Sequence, residues 1–139
     1  MFVVDTNVVS ELMSASPAPS VVAWLDECDP SDQYLTSVSV AELLYGVGRL
    51  PAGRRRDRIA AAVDGVIGED FRGRILSFDL PAAVAYARIV SGRRIAGRPI
   101  GTADAQIAAI CASRDAVGVT RNVDDFTGCG IDVVDPWSG

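Results

Sequence analysis

Short runs of β-branched and aromatic residues alternate with segments of helical spacing along this chain, and that alternation restricts the folds open to it. Phe2-Val3-Val4, Tyr34-Leu35-Thr36, Ile75-Leu76-Ser77-Phe78, Val117 to Thr120 and Ile131 to Val134 read as five strands. The first is apolar throughout instead of alternating, the pattern of a strand covered on both faces. Strands separated by helices form a mainly parallel sheet, with the helices packed on both of its faces. The expected fold is therefore an α/β/α sandwich, a single domain over residues 1–139, with no repeat, linker or second domain.

The intervening helices have recognisable boundaries. A short helix is expected from Asn7 through Glu11, and a second is opened by Pro19-Ser20 and carries Val22, Trp24 and Leu25. Asp29-Pro30-Ser31-Asp32 reads as a turn. Ser39 is expected to open the next helix, since Ser39-Val40-Ala41-Glu42 has the S-x-x-E form of a capping box. Ile59, Val63, Val66 and Ile67 make an apolar stripe on a helix begun by Arg54, Arg55, Arg56 and Arg58. Asp79 and Pro81 start an alanine-rich helix expected to end around Gly92, and Thr102 starts another that gives way at Ser113.

Composition narrows the chemistry. The chain contains no histidine, and all thirteen of its basic residues are arginine. Imidazole acid–base work, Ser-His or Cys-His nucleophiles and His-ligated zinc are thereby excluded, as are Schiff-base chemistry and a phosphate-binding Walker lysine. Cys28, Cys111 and Cys129 are odd in number and scattered, and read as small buried hydrophobes. The longest uncharged run, Leu12 to Leu25, is broken by Pro17 and Pro19 and is shorter than the ~18 residues of a spanning helix. With no basic leader ahead of Asp5, a soluble cytoplasmic protein is expected. What remains is carboxylate chemistry, which favours hard cations such as magnesium or manganese.

Three acids stand out, each with an ordinary structural explanation beside the functional one. Asp5 follows the first strand, where it can cap a helix, but the carboxyl edge of an open α/β sheet is also where ligands bind. Glu42 closes the capping box. Asp104 falls in a first helical turn, where the macrodipole favours a negative charge. Ile107, Ala108 and Cys111 follow Asp104 at i+3, i+4 and i+7, so it shares the apolar face and is turned inward. Should the three converge, like charges about 4 Å apart repel by roughly 4 kcal/mol at an effective dielectric near 20. Protons or a divalent cation must then intervene.

Four segments in order, F-V-V-D-T-N-V-V-S-E-L, S-V-A-E-L-L-Y-G, G-T-A-D-A-Q-I-A-A-I and T-R-N-V-D-D-F…G-I-D-V-V-D-P-W, resemble the PIN-domain family, and within it the VapC-type ribonuclease toxins of type II toxin–antitoxin modules. The resemblance covers essentially the whole chain. It implies a five-stranded sheet of order 3-2-1-4-5 and a Mg²⁺ site, with Mn²⁺ as a substitute, lined by Asp5, Glu42 and Asp104 as metal-holding and catalytic residues. It further implies RNA hydrolysis by water leaving 5′-phosphate and 3′-hydroxyl ends, a homodimer, and a cognate VapB-type antitoxin in a toxin–antitoxin assembly. At the place where the family often has a fourth acid this chain has Asn122, with Asp125 close behind to supply charge. Thr6 and Asn7 are expected to orient Asp5.

A net charge of −5 looks unsuited to RNA, but local charge governs within a Debye length of about 8–10 Å. Arg49, Arg54, Arg55, Arg56 and Arg58, with Arg93, Arg94 and Arg98, are candidates for phosphate contacts, a solvated helix face being the alternative. Two rival readings stand beside the nuclease. A catalytically inactive PIN-fold module that binds RNA or protein is supported by Asn122. A phosphotransferase with Asp5 as nucleophile is disfavoured by Asn7 two residues on and by the absence of lysine.

Overall fold

The computed structural model describes residues 1–138. Its five strands are β1 (Phe2–Val4), β2 (Gln33–Thr36), β3 (Ile75–Leu76), β4 (Val117–Val119) and β5 (Val133–Val134). All neighbours pair in parallel, in the order β3-β2-β1-β4-β5, as the resemblance implies. The helices are α1 (Thr6–Leu12), α2 (Pro19–Glu27), α3 (Ser37–Gly48), α4 (Arg54–Gly65), α5 (Leu80–Ile95) and α6 (Thr102–Ser113).

The alternation of strand side chains explains why β1 is apolar throughout. Val3 packs into one core and Val4 into the other, because successive residues of a strand point to opposite faces. Leu76 joins the first core while Ile75 packs against the second. One face is covered by α1 to α4 through Val8, Val9, Val21, Leu25, Leu43 and Val63. The other is covered by α5 and α6, whose Ala82, Ala85, Ala108 and Ala109 let the helices approach the sheet and each other closely. Burying each central valine contributes about 1.5–3 kcal/mol. Between them the two cores hold β1 from both sides, and Asp5 follows directly on its last residue.

Several boundaries differ from the sequence reading. Three strands are shorter, with β3 stopping at Leu76, β4 at Val119 and β5 beginning at Val133, while β2 begins one residue earlier at Gln33. α5 runs past Gly92 to Ile95, because Gly92 takes no left-handed conformation; termination falls at Gly97, whose φ of 73° turns the chain so that the Arg98 N–H reaches the Arg93 carbonyl at 2.9 Å. The Ser39–Glu42 capping box does not form. α3 starts two residues earlier, and Thr36 is its cap, its Oγ1 accepting from the Ser39 N–H at 3.1 Å. Ser39 is thus fully buried inside the first turn, and Glu42 is released from capping. Cys111 and Cys129 are buried and Cys28 half-buried, all as free thiols. No described helix is long and apolar enough to cross a membrane.

Candidate active site

The order β3-β2-β1-β4-β5 reverses direction between β1 and β4, and at such a switch point the carboxyl ends of adjacent strands open a crevice. Val4 pairs with Val119, so the next residues on each strand, Asp5 and Thr120, stand side by side at that edge. Both are buried. Their side chains form a hub. Asp5 Oδ1 accepts from the Thr6 N–H at 2.8 Å, while Oδ2 accepts from the Thr120 hydroxyl at 2.8 Å and from Asn7 Nδ2 at 3.3 Å. Thr120 Oγ1 in turn accepts from Asn7 Nδ2 at 3.0 Å and from the Asn122 N–H at 3.1 Å.

The hub fixes the carboxylate of Asp5 without neutralising it. Burial raises the Asp5 pKa, the hydrogen bonds from Thr120 and Thr6 oppose that rise, and the charge of Asp125 adds to it. Thr120 is the member of this arrangement that sequence reading missed. A threonine closing a strand reads as an ordinary β-former, and only its register beside Asp5 could have marked it.

Asp5, Glu42 and Asp104 line one cavity of about 500 Å³, and Thr6, Asn7 and Asn122 also border it. Asp104 stands in the first turn of α6, half-buried as its inward periodicity predicts. Its pKa is pushed up to about 6, first by burial and then by the charges of Asp5, Asp125 and Glu42, with Arg93 acting the other way. Glu42 reaches into the cavity from α3 and accepts a hydrogen bond from the Thr6 hydroxyl at 2.8 Å. None of the three acids forms an ion pair among the described residues. Asp125 sits apart, on an adjoining cavity it shares with Asp124 and Asp135, and reaches Asp104 and Asp5 through its field.

All donors that face this cavity from the three acids are carboxylate oxygens, and the elevated Asp104 marks a surplus of negative charge. That donor set fits a hard divalent cation. Among the described residues no three acidic or thiol side chains are close enough to hold a metal ion by themselves, so a cation here would keep several waters beside one or two carboxylates.

The arginines divide. Arg49 ends α3 with its guanidinium over the Tyr45 ring, and Arg54, Arg55 and Arg56 begin α4; none of these four borders the acidic cavity. Arg93 is no phosphate ligand. It is buried, and its guanidinium donates to the carbonyls of Arg98, Asp125 and Thr127, pinning the loop that carries Asp125 to the end of α5.

Comparison with known proteins places this geometry. The PIN domain family model matches residues 2–127. VapC ribonuclease Y4jK of Sinorhizobium fredii is 38% identical over 137 residues, covering 99% of this chain and 98% of the relative. Toxin FitB of Neisseria gonorrhoeae is likewise 38% identical, over 99% of both chains. A chain in the structure of FitAB bound to an IR36 DNA fragment superposes with a TM-score of 0.92 at 37% identity, over 99% of this chain and 96% of that one.

Proposed function

This chain belongs to the PIN-domain family, and on that footing we propose that it is the toxin of a VapBC-type toxin–antitoxin module, a magnesium-dependent endoribonuclease that cuts RNA by hydrolysis. One observation carries the reading: Asp5, Glu42 and Asp104, distant in sequence and borne on different elements, line a single cavity and lack any ion-paired arginine among the described residues.

Asp5 and Asp104 would hold the cation, with Glu42 beside them. A bound Mg²⁺ or Mn²⁺ supplies Lewis-acid stabilisation of phosphate charge and makes a nearby water more acidic. The chain's own residues do the rest. Thr6, Thr120 and Asn7 fix the direction of the Asp5 carboxylate, so its lone pairs meet a ligand without reorganisation. Glu42, exposed and held only by the Thr6 hydroxyl, can leave that bond to orient water or accept a proton from it. Asn122 offers a neutral amide at the cavity wall, where it can position water but carries no charge, and Asp125 supplies negative potential from the next turn.

The FitAB complex with DNA supports a cognate VapB-type antitoxin as partner and DNA binding by the resulting complex, and we propose that the toxin is a homodimer. The test is incubation of the purified protein with total RNA, with and without magnesium, followed by mapping of the new ends. Magnesium-dependent products with 5′-phosphate ends are expected, and absent from the Asp5→Asn and Asp104→Asn proteins. Cleavage by those variants at undiminished rate would overturn the assignment.

A further inference from the structure

Arg121 and Trp137 belong to the last of the four segments picked out in the sequence, and the mechanism above gives them no role. Both border the acidic cavity, and Arg121 is the one basic residue that does so among the described residues. Its guanidinium lies 5.1 Å from the centre of the Trp137 ring, and its backbone N–H donates to Asn7 Oδ1 at 3.3 Å, tying it to the hub around Asp5. On another side the cavity is bordered by Ser14, which also lines a second cavity of about 250 Å³ with Arg55 and Arg58. Arg55, Arg58 and Arg121 are all exposed, and none is ion-paired among the described residues.

We propose that single-stranded RNA crosses the acidic cavity along a path set by these arginines, with Arg121 binding one flanking phosphate at the Trp137 rim and Arg55 and Arg58 binding phosphates beyond Ser14. The proposal rests on the ribonuclease reading and adds the course of the strand. A chain of net charge −5 attracts a polyanion only through local positive charge, and these arginines are the basic groups that border the acids or the cavity joined to them. The arrangement puts the reacting phosphate over the carboxylates, where a cation compensates both, and leaves its neighbours to guanidinium groups. Trp137 holds the Arg121 plane at the rim, a geometry that lysine does not reproduce.

The test is binding of a short fluorescein-labelled single-stranded RNA of mixed sequence, by anisotropy over a series of salt concentrations, in an Asp104→Asn background that leaves the probe uncut. Each phosphate contact contributes about 0.7 to the slope of log K against log salt. Arg121→Ala is expected to lower the slope by about that amount, and the Arg55→Ala/Arg58→Ala double variant by about twice as much. Arg121→Lys is expected to weaken binding with the slope kept, and Arg88→Ala, an exposed arginine on α5, to leave both unchanged. RNA binding with slopes unaltered by the Arg121 and Arg55/Arg58 substitutions overturns the path and leaves the ribonuclease reading standing. Absence of RNA binding, together with absence of magnesium-dependent cleavage by the unmodified protein, overturns the ribonuclease reading itself.

Discussion

Asp5 and Asp104 are the same residue type, both stand at the start of a helix and both border one cavity, yet their surroundings are opposite. Asp5 is buried and receives three hydrogen bonds, from Thr6, Thr120 and Asn7. Asp104 is half-exposed, accepts no side-chain hydrogen bond among the described residues, and is held in its charged form only against burial and three neighbouring acids. The difference teaches that a carboxylate site can divide its tasks. One acid is fixed in place by the fold, while the other is left to be compensated by whatever enters.

The sharpest way to break this comparison is to neutralise each acid in turn. Asp5→Asn keeps an acceptor for the Thr6 N–H, so the cap of α1 survives, while the charge is lost. Both Asp5→Asn and Asp104→Asn should lower RNA cleavage by more than about 100-fold, beyond what losing an outer partner of a metal ligand costs. Circular dichroism should show both proteins folded, and an active Asp104→Asn protein would mean that the fixed acid suffices alone.

Thr120→Val comes next. It keeps the shape of a fully buried side chain and removes the donor to Asp5 Oδ2, leaving a buried carboxylate oxygen with one weak partner. A loss of about 1–3 kcal/mol in urea unfolding is expected. Cleavage should fall about 10–100-fold, and Thr120→Ser should restore both.

The pH dependence of stability tests the other acid. With its native value about 6 against an ordinary 3.8, Asp104 binds its proton more tightly folded than unfolded. Its stabilising contribution is therefore complete below about pH 4 and is lost as pH rises through 6, and the raised Asp5 acts in the same direction. Without divalent cations, the melting temperature should drop across that window. Added magnesium should recover it chiefly above pH 6, and Asp104→Asn should flatten the profile. The smallest effect is expected for Asn7→Ala, which removes a 3.3 Å bond to Asp5 while Thr6 and Thr120 remain; thermal melts should show a loss of about 1 kcal/mol or less.

The framework was readable from residues because its signals are local. An uninterrupted Phe2-Val3-Val4 can only be a strand covered twice, and the inward periodicity after Asp104 follows from helix geometry alone. What stayed hidden depends on register or on competition between equivalent groups. Thr36, Ser37 and Ser39 all offer hydroxyls for a cap, and the choice of Thr36 follows from where β2 ends. The role of Thr120 depends on β1 pairing with β4 in one register, a relation between residues 115 apart. Arg93 looked like a surface charge because its series of neighbours is basic, and only the packing of α5 against the 125–129 loop shows it turned inward.

That long separation between Asp5 and Thr120 has a temporal meaning. During synthesis the ribosome releases Asp5 and Glu42 early, but the central strand acquires its β4 neighbour, and Asp5 its fixed direction, only after residue 120 has emerged. An unfinished chain therefore carries two of the acids without the means to aim them.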